Sequence, residues 1–179
     1  LARKKPHAHI HAFEPMPDNF KALSRITKHY NLQNISLHQL ALGEKEGTIE
    51  MILPVVSDVK MQGLAHIKHD SITDFNEGPT VQVAIKTLDA FTQQNINQCI
   101  TGIKMDVENY EQFVLAGATN VLQKNKPIIY IELWENDNRN ICFNLLQNIG
   151  YRIMILHRNA LVPYEKEKHT TQNFFFIPS

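Results

Sequence analysis

Cysteine is nearly absent: Cys99 and Cys142 are the only two in 179 residues. Two thiols cannot build the disulfide framework of a small secreted domain, and their spacing matches no zinc motif, so a reducing, cytoplasmic setting is the expectation. An excess of either charge is also missing. Eighteen Lys and Arg balance eighteen Asp and Glu, and the sole basic cluster is Arg3-Lys4-Lys5, so no field is available to hold nucleic acid or an anionic membrane surface. No apolar run approaches the roughly 18 residues of a spanning helix. The seven glycines include no G-x-G pair, and no P-loop, nucleophile elbow, Ser-His-Asp order or C-x-x-C is present.

What is present is ordinary for a globular protein, 43% hydrophobic and 20% charged, in a length that suits a single domain over residues 1–179. His7 to Phe13 alternates as a strand does. Pro17 and Asp18 suit the first turn of a helix, and Phe20, Leu23, Ile26 and Tyr30 continue it at spacings of three and four. Asn34 to Leu42 reads as a second strand, and "GTIEMIL" and "TVQVAIKTL" as a strand pair. The polar loop of about 25 residues between them, Pro54 to Pro79, is long enough for a lid or binding segment. Cys99 to Val107 reads as a buried strand, and Tyr110, Val114, Ala118 and Val121 as one helix face. Lys126 to Trp134 reads as an interior strand, apolar on both faces. Cys142, Leu145, Leu146 and Ile149 stripe a further helix, which Gly150 ends. "YRIMIL" and "NFFFI" complete an α/β order with a mostly parallel sheet and helices on both faces.

Ligands of such sheets bind beyond the carboxyl ends of the strands, and there this chain places acids. Glu14 follows the first strand, Asp106 and Glu108 follow "GIKM", and Glu132 and Glu135 follow "IIYI". A carboxylate accepts two hydrogen bonds from a vicinal diol, so Glu14 suits a ribose; it equally suits a cap on the following helix.

Five segments in order, "AFEPMPDNFKAL", "QLALGEKEGTIEM", "VAIKTLD", "GIKMDVENYEQFVLAGA" and "KPIIYIEL", resemble the FkbM-type methyltransferases from about Ala12 to Trp134. The resemblance implies a Rossmann-like class I methyltransferase sheet with an antiparallel last strand. It also implies S-adenosylmethionine as cofactor and methyl transfer to a hydroxyl of a sugar, glycolipid or secondary metabolite. By the same resemblance Glu14 binds the ribose hydroxyls, and Ala41 and Leu42 lie near the adenine. Asp106 and Glu108 stand close to the reacting methyl as candidate bases, with Asp106 preferred, and Glu132 orients the acceptor. Acids paired with backbone or lysine, without a metal, are the expectation. Two departures matter. Asn109 and Tyr110 stand where the family carries a small pair such as Gly-Ala, and Tyr110 would narrow or fill the acceptor pocket. The family's first strand and Gly-rich turn are expected before residue 1, with residues 1–6 as the tail of the intervening helix.

His7, His9 and His11 share a strand face but lack a fourth ligand at a metal spacing. His66 and His69 read as exposed loop residues, and Trp134 as a stacking or packing side chain. The expected partner is a small-molecule or glycan acceptor, not nucleic acid or membrane. The alternatives are an inactive methyltransferase-like fragment serving as an interaction module, and a dehydrogenase that uses Glu14 for the ribose.

Overall fold

The computed structural model describes residues 1–56, 59–60, 65–69, 78–96 and 98–179. They sort into two compact units, Leu1–Lys86 and Thr87–Ser179.

In the first unit a 3-10 turn, Ala2–Lys4, stands where the sequence suggests a helix tail. Strand β1 (Ile10–Phe13) is shorter than the His7–Phe13 alternation implies. The Asn34 amide donates to the carbonyls of Lys5 and Ala8 at 3.1 and 2.8 Å, and the Ala8 N–H closes a turn onto Lys5. The backbone before Ile10 is thereby curled and cannot extend. Helix α1 (Pro17–His29) starts at Pro17 with Asp18 in its first turn. Its apolar stripe is only partly covered: none of its residues is buried, and Ile26 and the following Tyr30 are 50% and 54% exposed.

The remaining strands of this unit are β2 (Ile35–His38), β3 (Ala41–Leu42), β4 (Gly47–Ile52), β5 (Val55–Val56), β6 (Val59–Lys60), β7 (His66–Ile67) and β8 (Thr80–Lys86). The 34–42 run is therefore two strands with different partners. β2 lies parallel to β1, while β3 lies parallel to β8 in a sheet of order β3-β8-β4-β7. The expected pair β4 and β8 is antiparallel over six residue pairs, Gly47–Ile85 to Ile52–Thr80. β7 and the small β5–β6 pair are antiparallel too. Most of the loop read as a lid, residues 57–58, 61–64 and 70–77, lies outside the described residues.

The second unit opens with α2 (Leu88–Asn95), capped by Thr87 Oγ1, which accepts the Ala90 N–H at 3.0 Å. Strand β9 (Gly102–Met105) follows, then α3 (Glu111–Ala116) and α4 (Thr119–Asn125). The stripe from Tyr110 to Val121 is thus broken in two. Asp89 supplies the reason, because its carboxylate accepts the N–H groups of Asn120 and Val121, both at 2.9 Å, and so starts a new helix. β10 (Ile128–Glu132), α5 (Asp137–Asn148), β11 (Tyr151–His157), β12 (Ala160–Pro163) and β13 (Asn173–Pro178) complete the unit.

Its sheet has the order β12-β11-β13-β10-β9. β9 and β10 are parallel, and the last strand, β13, runs antiparallel to both β10 and β11. Hairpin strand β12, not foreseen from sequence, joins β11 through Arg158 and Asn159, at φ +47° and +66°. Across both units the ladders are mixed and not mostly parallel: β1–β2, β3–β8 and β9–β10 are parallel, and the other ladders among the described residues are antiparallel. One face of the second sheet holds the core: Ile129, Ile131, Phe174 and Phe176 are fully buried and register as Ile129–Phe176 and Ile131–Phe174. β10 is not covered on both faces, since Ile128 is 50% exposed.

Candidate functional site

Strands β9 and β10 deliver their acids side by side at their carboxyl ends. One step past the Ile131–Met105 pair, the parallel register sets Glu132 beside Asp106. Asp106 is exposed, and its Oδ2 receives the Lys104 ammonium at 2.6 Å. Glu132 and Trp134 are half-buried, and Glu135 is exposed. Glu108 and Asn109, on the loop after Asp106, both adopt left-handed backbone, φ +53° and +70°, a region costly for a non-glycine residue and least so for Asn. Tyr110 is buried with its ring 4.5 Å from that of Phe113, so it belongs to the core and not to the wall of an acceptor pocket.

The loop is fastened from below. Glu111 is buried; its Oε1 accepts the Val107 N–H at 3.3 Å and its Oε2 the Asn138 amide at 2.5 Å. Burial pushes the Glu111 carboxyl above its ordinary range, and the donated hydrogen bonds of Asn138, Val107 and Asn109 pull the other way. The first turn of α5 supplies the other fasteners. Asn136 caps the helix through Arg139 N–H and donates to Asn109 Oδ1 at 2.7 Å. Asn138 Oδ1 accepts the Gln112 N–H at 3.2 Å. Arg139 is buried over the Phe174 ring and donates from Nη2 to the Leu133 carbonyl at 2.7 Å. Cys142, one turn further, is buried, and desolvation with the nearby Glu111 drives its thiol strongly upward.

Glu111, Asn136, Asn138 and Arg139 are supports that the sequence alone does not announce. Glu111 did leave a trace: with Val114, Leu115 and Ala118 at spacings of three, four and seven, it is an acid on an apolar stripe. Asn138 stands four residues before Cys142 on the buried face of α5 in the same way.

Glu14, Ala41 and Leu42 belong to the first unit. Glu14 continues the β1 ladder through its N–H to the His38 carbonyl, and its Oε1 accepts the N–H of Met16, the cap residue of α1, at 2.9 Å. This closes a turn ahead of the helix, and α1 itself has no side-chain cap hydrogen bond; Oε2 has no hydrogen-bond partner among the described residues and can accept a hydroxyl. Ala41 is buried opposite Ile85, and Leu42 is half-buried opposite Lys86. On β1 and β2, His11 Nδ1 lies 3.0 Å from His38 Nε2, and His9 Nε2 lies 2.9 Å from Ser36 Oγ. Desolvation first, and neighbouring histidines second, lower both His11 and His38. His7 lies outside the strand. Among the described residues no three His, Cys, Asp or Glu side chains gather where they could hold a metal ion. His66 is buried in β7 and is not the exposed loop residue expected; His69 is half-buried.

Residues 1–153 match the methyltransferase FkbM domain. A curated protein of Beauveria bassiana named Methyltransferase 1 is 27% identical over 128 residues, covering 65% of this chain and 51% of the relative. The chain thus spans about half the length of that relative. Among solved structures, Methyltransferase FkbM from Methylobacillus flagellatus superposes with a TM-score of 0.59 at 17% identity, over 94% of this chain and 36% of the other. That likeness establishes a shared α/β fold.

Proposed function

The chain belongs to the FkbM methyltransferase family, and from that premise we propose that it transfers a methyl group from S-adenosylmethionine to a hydroxyl oxygen of a sugar, glycolipid or secondary metabolite. The observation that carries the proposal is the set of carboxylates at the ends of parallel-paired strands: Glu14 after β1, Asp106 and Glu108 after β9, and Glu132 closing β10. When bound, S-adenosylmethionine supplies an electrophilic methyl carbon whose transfer to oxygen releases the acceptor's proton.

In this reading Glu14 keeps Oε1 on the Met16 N–H and offers Oε2 to the ribose hydroxyls, while Ala41 and Leu42 flank the adenine. Asp106 takes the acceptor's proton: Lys104 holds its Oδ2, and Oδ1 faces the incoming hydroxyl. Glu108 is the second choice for that role, and Glu132 orients the acceptor. The balanced charge favours a small-molecule or glycan acceptor over nucleic acid, and no described helix is long and apolar enough to cross a membrane. Two free cysteines, Cys99 and Cys142, suit a cytoplasmic setting.

The test is titration calorimetry of S-adenosylhomocysteine into the natural protein that carries this chain, and binding is the expected result. Silence overturns the methyltransferase reading in favour of an interaction module, for which Ile128, Leu156 and Leu161, at 50%, 61% and 45% exposure, offer apolar surface.

A further inference from the structure

Building on the methyltransferase reading above, we propose that Glu111 is a positioning residue: from inside the second unit it holds the left-handed loop that aims Asp106 and Glu108, while the first turn of α5 ties that loop to the end of β10. Glu111 is 2% exposed and lies under the loop. Its Oε1 accepts the backbone N–H of Val107, directly before Glu108, at 3.3 Å. A loop N–H turned away from water calls for an acceptor, and here that acceptor is a side chain of the protein itself. Without it the left-handed φ values at Glu108 and Asn109 lose what maintains them.

The same carboxyl group is bound by Asn138, which also accepts the Gln112 N–H, so α3 and α5 are joined at the loop's base. Asn136 reaches the Asn109 side chain, and Arg139 reaches the Leu133 carbonyl, directly after Glu132. The acids of β9 and β10 are therefore referenced to one short stretch, Asn136 to Arg139. Among the described residues Glu111 forms no ion pair, and a buried acid so placed is costly to keep for stability alone, which favours a positioning role.

The experiment compares wild type, Glu111→Gln and Glu111→Ala in the natural protein that carries this chain. Amide hydrogen exchange at residues 107 and 109 is followed by NMR, with the Ile129 and Ile131 amides as internal controls and S-adenosylhomocysteine affinity measured in parallel. Glu111→Ala is expected to speed loop exchange about tenfold or more, the consequence of losing a hydrogen bond of ordinary strength. Core exchange stays put, ligand affinity stays within about threefold, and Glu111→Gln, with one acceptor oxygen left, falls between. Unchanged loop exchange overturns the proposal; acceleration shared equally by the core makes Glu111 a folding residue and overturns it as well. Should Glu111→Ala fail to fold, Asn136→Ala, at an exposed position, is expected to speed exchange at Asn109 with the core unchanged, and no change there sinks the tie to α5. Failure of wild type to bind S-adenosylhomocysteine strikes the methyltransferase reading alone, and the exchange data still decide whether Glu111 holds the loop.

Discussion

Glu14 is held by its own neighbourhood: the N–H two residues on binds its carboxylate, and Pro15 and Pro17 fix the path of the chain. Asp106 and Glu108 are held by Glu111 and by α5, whose Asn136 and Asn138 reach back 27 residues to Asn109 and Glu111. The first acid can shift without disturbing a core, whereas the second pair is coupled to one. The packing follows the same division. α1 buries none of its residues, while β10, β13 and α5 bury Ile129, Ile131, Phe174, Phe176, Cys142 and Leu146 completely.

The largest expected effect tests that division directly. Phe174→Ala removes a fully buried ring on which Phe143, Tyr164 and the Arg139 guanidinium all pack, and about 3–5 kcal/mol of stability should go with it. Phe20→Ala on α1 deletes a half-buried ring and should cost about 1 kcal/mol. Urea denaturation of the two variants gives the comparison, and equal losses would show that α1 is as much a part of the core as β13.

Next in size is the ligand effect at the first strand end. On the methyltransferase reading, Glu14→Ala should weaken S-adenosylhomocysteine binding by about 1.5–3 kcal/mol, the range for hydrogen bonds to a charged group. The melting temperature should barely move, because the turn it closes is local. An unchanged affinity in calorimetry would leave Glu14 with only the turn it closes before α1.

The contrast between the strand ends also explains what could be read in advance. Short-range chemistry is written in adjacent residues: Pro17 and Asp18 start α1, Gly150 at φ +87° ends the α5 segment, and Thr87 caps α2. The Thr87-Leu88-Asp89 signature acquires a structural meaning, with Thr87 capping one helix and Asp89 another. Long-range choices leave fainter marks. A period of two identifies strands over 34–42 but does not say that β2 and β3 take different partners. Arg158 and Asn159 form a hairpin turn without the glycine that usually announces one. The acids at the strand ends were legible because polar residues after apolar runs stand out. Their supports were not, because Glu111, Asn138 and Arg139 look like surface residues at helix starts until burial is known.

Acidity offers a smaller and reversible probe of the buried support. Burial raises Glu111 above its ordinary 4.5, so between the unfolded and the folded value the native state holds more protons than the unfolded one. Stability from this group is complete below the unfolded value and is lost as pH rises through the folded one, by at most about 1.4 kcal/mol per pH unit. Glu111→Gln should flatten that decline in denaturation curves taken from pH 4 to 8. A wild-type curve that climbs over the window, with no difference from the variant, would mean that Glu111 ionises in the fold as freely as in the unfolded chain.

The smallest effect separates local preference from the long-range clamp. Asn109→Gly removes the steric cost of a left-handed non-glycine residue but loses the bond from Asn136 and loosens the unfolded chain. One gain stands against two losses, each of about 1 kcal/mol or less, so a net loss of up to about 1 kcal/mol is expected. Mobility should not stay the same, because glycine accepts the φ of +70° without being tied to α5. Faster amide exchange at residue 109 in a protein destabilised by no more than that would assign the loop's order to the clamp. A loss above about 1.5 kcal/mol would instead mean that the Asn109 side chain is itself a principal support, and that the two strand ends differ less than their hydrogen bonds suggest.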